Sequence, residues 1–142
     1  MTDEKEIYNI GEMPPLGYVP NKMHAWVIRK DRHGNPMQSF KEEEFPVPEI
    51  GPNEVLIFVM AAGVNYNGVW AGLGVPVSVL DMTKKDYHIA GSDASGIVWK
   101  VGSDVKKWKV GDEVIIHGMQ WDHEDAEVNG GEPMISKTQK VY

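Results

Sequence analysis

From Ser95 to Gly118 the chain reads SGIVWKVGSDVKKWKVGDEVIIHG, short runs of Val and Ile cut at close intervals by Gly102-Ser103-Asp104 and Gly111-Asp112. Branched side chains restrict χ1 and suit a pleated strand, while Gly and Asp supply the backbone angles of tight turns. Nowhere does the sequence repeat apolar residues at a sustained helical period. These features predict a mainly β domain, a small barrel or rolled sheet. With 142 residues and 42% hydrophobic content, the chain can bury one real core.

The first half is read against that expectation. HAWVIR, His24 to Arg29, predicts a strand, and Asp31 to Pro36 carries Gly and Pro turn signals. SFKEEEFPVPEIGPNE follows as a mostly polar, proline-broken segment. VLIFVMAAG, Val55 to Gly63, predicts a buried strand. A short helix is expected over Asn67 to Leu73, weakened by Gly68 and Gly72. Pro14, Pro15, Pro20, Gly11 and Gly17 mark residues 1–22 as an extended arm ahead of a lobe over residues 23–142. Beyond Gly118, MQWDHEDAEVNGGEPM is polar and Gly-rich and predicts a loop.

Several chemistries are excluded by composition. A net charge of −7 without a Lys/Arg run argues against nucleic acid. No cysteine is present, which removes disulfides, thiolate ligands and thiol nucleophiles. The acidic N-terminus is unlike a secretory signal, and the longest apolar run, Val55 to Val64, is too short to span a bilayer; a cytoplasmic protein off the membrane is expected. Gly72 and Gly74 lead into Val-Pro rather than a third glycine, and Gly63 to Gly68 lacks the Lys-Ser/Thr of a phosphate loop. The serines fit no nucleophile motif. His117 and His123, with Asp122, Glu124 and Asp125, read as a solvated acidic loop rather than a zinc or hard-metal site, and no metal is expected.

Gly91, Asp93, Gly96, Val98, Val101, Gly102, Val105, Gly111, Asp112 and Val114 fill a pattern that resembles the hallmark of the medium-chain dehydrogenase/reductase superfamily. That resemblance implies a GroES-like, partly open β-barrel. Zinc members carry Cys after the preceding strand and His-Glu where Ser92-Asp93 stands here, so the chain resembles the zinc-free enoyl and quinone reductase branch. NYNGVWAGLG, YHIAGSDASGIVWKVG and YNIGEMPPLGYVP, with GGEPMISKTQKVY, are similar to the crotonyl-CoA carboxylase/reductase family over nearly the whole chain. The family implies NADPH as cofactor, crotonyl-CoA and carbon dioxide as substrates, ethylmalonyl-CoA as product, and a homo-oligomer. Its members continue into a Phe-Glu pair, a Rossmann domain and a catalytic histidine that have no counterpart here. This chain is therefore expected to be the N-terminal catalytic lobe, with its Rossmann lobe or a second chain as partner. A plain zinc-free reductase lobe and a non-catalytic GroES-like assembly module are the rival readings.

The resemblance also assigns Asn67 to carbon dioxide. An amide N–H donates to the oxygens of a neutral guest, and that bond strengthens as carboxylate charge develops. Related reductases place a tyrosine acid further along, where AGLGVP offers none. The competing role for Asn67 is a helix N-cap before Gly68-Val69-Trp70. Asn65 either ties the strand end or meets the nicotinamide side. Tyr66 and Trp70 are packing residues or line an acyl pocket. His117, Trp99 and Trp108 read as structural.

Overall fold

The computed structural model describes residues 4–76 and 78–116. Among the described residues, six strands and three short α-helices follow one another as β1 (Lys22–Arg29), α1 (Pro36–Ser39), β2 (Phe40–Pro46), β3 (Val55–Ala61), α2 (Tyr66–Leu73), α3 (Val79–Thr83), β4 (Tyr87–Ile89), β5 (Ala94–Val101) and β6 (Glu113–Ile116), with one 3-10 turn at Lys30–Arg32. The strands form two antiparallel three-stranded sheets, ordered β2-β1-β4 and β3-β5-β6. Among the described residues they do not close into a continuous barrel.

The core lies where the central strands turn their branched faces inward. Val27 and Ile28 of β1 and Val98 of β5 are fully buried, and Trp99 nearly so. Trp99 packs on Phe58 of β3 at 4.9 Å between ring centroids, and its indole N–H donates to the Tyr18 carbonyl at 2.6 Å. Residues 4–20 run along the domain in turns and extended stretches, with Tyr8 buried. An apolar trough of about 580 Å³ lies between the sheets, lined in part by Tyr8, Trp26, Phe58, Val59, Ile89 and Trp99.

The motif glycines of β5 follow from close approach. A Cβ on Gly96 would sit 2.1 Å from the Phe58 carbonyl oxygen, and one on Gly102 would sit 2.3 Å from the carbonyl oxygens of Gly51 and Pro52. Only hydrogen leaves room for the neighbouring backbone at those two points.

Two expectations are corrected. The polar, proline-broken segment is in part strand β2, because its charged run is matched across the ladder. Glu42 meets His24 at 2.8 Å, Glu44 meets Lys22 at 3.6 Å, and Glu43 takes both Arg29 and Arg32. The run Val55 to Gly63 is not buried throughout: β3 ends at Ala61, and Val59 and Met60 are exposed where register shifts interrupt the pairing with β5. Trp99 and Trp108 are open to barrel or interface packing in the sequence: Trp99 packs in the core, whereas Trp108 is exposed, with the Lys107 ammonium 4.8 Å from its ring centre. The helices α1 and α3 and the strand β4 were not anticipated. Their apolar patterns are too short to carry a period.

Candidate functional site

Two strand ends come together at one edge of the second sheet. β3 runs out through Gly63 and Val64 to Asn65, and Ser92 and Asp93 lead directly into antiparallel β5. Asn65 is the N-cap of α2, with extended backbone at φ −135° and ψ 168°. Its Oδ1 accepts from the Asn67 backbone N–H at 2.9 Å. Its Nδ2 donates to Asp93 Oδ2 at 2.6 Å and to Ser92 Oγ at 3.2 Å. Asn65 thus ties the strand end and caps the helix with a single side chain.

Asn67 is not the cap. It lies in the first turn of α2 and is exposed, and its carboxamide has no hydrogen-bond partner among the described residues. Its donor pair is therefore available to a guest.

The far end of α2 is anchored to the loop between β1 and β2. The Gly74 N–H donates to the Trp70 carbonyl at 2.8 Å, with Gly74 left-handed at φ 76°. The Gly34 N–H donates to the Gly72 carbonyl at 2.9 Å, and the Ser39 hydroxyl, 2.9 Å from the same oxygen, shares its one hydrogen with the Asn35 carbonyl at 2.7 Å. His33 Nε2 lies 3.0 Å from the Ala71 carbonyl and donates to it. Gly72 is buried, and a Cβ there would meet Phe40 at 2.8 Å and Pro36 at 3.1 Å. Its smallness lets α2 seat on α1 and β2, so the helix forms despite the glycine.

Tyr66 and Trp70 stack edge to face, centroids 5.5 Å apart, one helical turn from each other. They remain 65% and 47% exposed. They pack on one another rather than into the core, and the trough between the sheets is lined by neither of them nor by Asn65 or Asn67. His117 and His123 lie outside the described residues. Among the described residues no group of three His, Asp or Glu could hold a metal ion, and no helix is long and apolar enough to cross a membrane. Sequence reading did not connect Asp93 with Asn65. They are 28 residues apart, and no local signal announces a contact made by tertiary pairing.

Two open antiparallel sheets, a short capped helix after β3 and glycines at β5 define a GroES-like lobe. The chain belongs to the alcohol dehydrogenase GroES-like domain family, which matches residues 51–138. It is 63% identical over 139 residues to a crotonyl-CoA carboxylase/reductase of Cereibacter sphaeroides, covering 98% of this chain and 32% of that protein. The solved structure of a crotonyl-CoA carboxylase/reductase superposes with a TM-score of 0.87 at 65% identity, over 98% of this chain and 32% of that one. A second, the crotonyl-CoA carboxylase/reductase AntE in complex with NADP, superposes at 0.81 and 45% identity, over 97% and 35%. The chain thus spans about a third of the length of the relatives it matches.

Proposed function

We propose that this chain forms the N-terminal lobe, an arm over residues 1–22 and a catalytic lobe over 23–142, of an NADPH-dependent reductive carboxylase. The reaction converts crotonyl-CoA and carbon dioxide to ethylmalonyl-CoA. Asn67 donates to the carbon dioxide oxygens, while Tyr66 and Trp70 border the acyl group. The observation that carries this reading is the unpartnered carboxamide of Asn67, held at the first turn of α2 by a neighbour that already supplies the cap. A lysine there would attract solvent anions, and a carboxylate would repel the product. Similarity to carboxylase/reductases over nearly the whole chain supports the same assignment.

The described residues do not suit NADPH itself. Both sheets are antiparallel, and neither contains the parallel strand–turn–helix unit that cradles a dinucleotide. When bound, the cofactor supplies the hydride; we place its site in the portion of the relatives that this chain does not span. The reading also carries a cytoplasmic, zinc-independent homo-oligomer. Zinc independence is supported by Ser92 and Asp93, which stand where zinc members carry His-Glu and are both engaged by the Asn65 amide.

The test is Asn67→Leu in the complete enzyme, assayed with labelled bicarbonate. Leu keeps similar volume and removes the donor, and because Asn65 makes the cap, the helix start stays satisfied. One donor aimed at developing charge is worth roughly a hundred- to a thousand-fold. The product should shift from ethylmalonyl-CoA toward butyryl-CoA. An unchanged product ratio in a folded variant removes Asn67 from the site. Wild-type enzyme giving only butyryl-CoA would replace the carboxylase with a plain enoyl-CoA reductase.

A further inference from the structure

We infer that Asp93 is a positioning residue for Asn67, acting through the side chain of Asn65; this rests on the role of Asn67 proposed above. A carboxylate only accepts hydrogen bonds, whereas a carboxamide presents a donor on one side and an acceptor on the other. At 2.6 Å, Asp93 Oδ2 obliges Asn65 to turn its Nδ2 toward β5. The second hydrogen of that Nδ2 goes to Ser92 Oγ. The remaining atom, Oδ1, then faces α2 and takes the Asn67 N–H at 2.9 Å. Asp93 therefore selects which of two near-isosteric orientations Asn65 adopts, and only one of them caps the helix.

Asp93 directly precedes β5, the central strand of its sheet, which β3 and β6 pair on either side. Gly63 leaves space for this carboxylate, since a Cβ there would stand 3.0 Å from Asp93 Oδ2. Asn67 has no side-chain partner of its own among the described residues, so its aim is inherited from the backbone of the first turn. Asp93 refers that turn to the sheet, and Ser39 and His33 hold the opposite end of α2.

The complete enzyme carrying Asp93→Ala is compared with Asp93→Asn, whose side-chain oxygen accepts the same hydrogen. The readouts are the ratio of carboxylated to reduced product and the KM for carbon dioxide against that for the enoyl-CoA. For Asp93→Ala the carboxylated fraction should fall, and the KM for carbon dioxide should rise, about tenfold, the scale of a sub-ångström misplacement at a reacting centre. The KM for the enoyl-CoA should move by less than about twofold. Asp93→Asn should recover most of the loss. If Asp93→Ala does not fold, Asn65→Asp serves: it keeps the capping oxygen, loses the donor to Asp93, and should shift the product ratio the same way. The inference is overturned if these variants leave product ratio and KM for carbon dioxide unchanged while Asn67→Leu alters them, or if Asp93→Asn is no better than Asp93→Ala. Should Asn67→Leu itself change nothing, the role of Asn67 falls, and that of Asp93 with it.

Discussion

Two glycines in α2 have opposite physical reasons, and single substitutions separate them. Gly68 has nothing within 4 Å of where a Cβ would stand, whereas a Cβ on Gly72 would press on the Phe40 ring and the Pro36 backbone. In an ordinary helical conformation Gly costs about 0.5–1 kcal/mol relative to Ala. Gly68→Ala should therefore stabilise the domain by about that amount, seen as a higher urea midpoint. Gly72→Ala should destabilise it by about 1–3 kcal/mol, because α2 must lift from α1 or strain Phe40. Equal effects of the two substitutions would contradict this packing of α2. The helix was legible in the sequence, but which glycine served packing was not, because Phe40 and Pro36 arrive from another element.

At the scale of the strand, β1 and β2 are joined by a charge cluster as well as by their ladder. Glu43 accepts from Arg29 Nε at 2.9 Å and Arg29 Nη2 at 2.6 Å, and Arg32 adds a further contact. Arg32 also reaches the carbonyls of Val27 and Ser39, so the cluster fixes the connection that anchors α2. The Arg29 hydrogen bond is the main cause that holds the Glu43 carboxyl at about 2 instead of 4.5. A depressed carboxyl pKa contributes stability that is complete above 4.5 and is lost as the pH falls toward about 2. Burial, with Lys85 a smaller cause, lowers the His88 pKa below its usual 6.5, so the unfolded chain binds the proton more readily and His88 adds to the loss in acid. Glu43→Gln should cost about 1 kcal/mol at neutral pH, allowing for solvent screening, and should flatten the decline of the urea midpoint below 4.5. A variant whose midpoint still falls as steeply as wild type would show that other groups govern acid sensitivity.

At the scale of the molecule, the function proposed above assigns the cofactor to the portion of the relatives that this chain does not span. Among the described residues, the antiparallel sheets, the exposed end of β3 and the exposed Tyr66–Trp70 pair offer surfaces but no dinucleotide cradle. The purified 142-residue chain should not bind NADPH tightly, as judged by titration calorimetry, and should hold no stoichiometric zinc by elemental analysis. Tight NADPH binding would place the cofactor site within this chain. About one zinc per chain would return it to the metal-dependent branch.

The sequence by itself determined what depends on neighbours along the chain. Branched runs between Gly-Asp turns specified strands β1, β3, β5 and β6, because a period of two and a turn residue are local properties. The Gly and Val pattern of residues 91–114 carried the resemblance to the GroES-like class, and two of its glycines, Gly96 and Gly102, stand where a Cβ would strike neighbouring backbone. The resemblance pointed to Asn67, and for Asn65 it left open a tie to the strand end and a contact with the nicotinamide side. Only the tertiary structure decided the division of labour. Asn65 takes the cap because antiparallel pairing of β3 with β5 brings Asp93 to its amide, and this leaves Asn67 free. The same distinction explains β2: three successive glutamates read as a polar break until β1 lies beside them and supplies each with a basic partner. Contacts between residues distant in sequence have no local pattern; they exist only once the sheet registers are set.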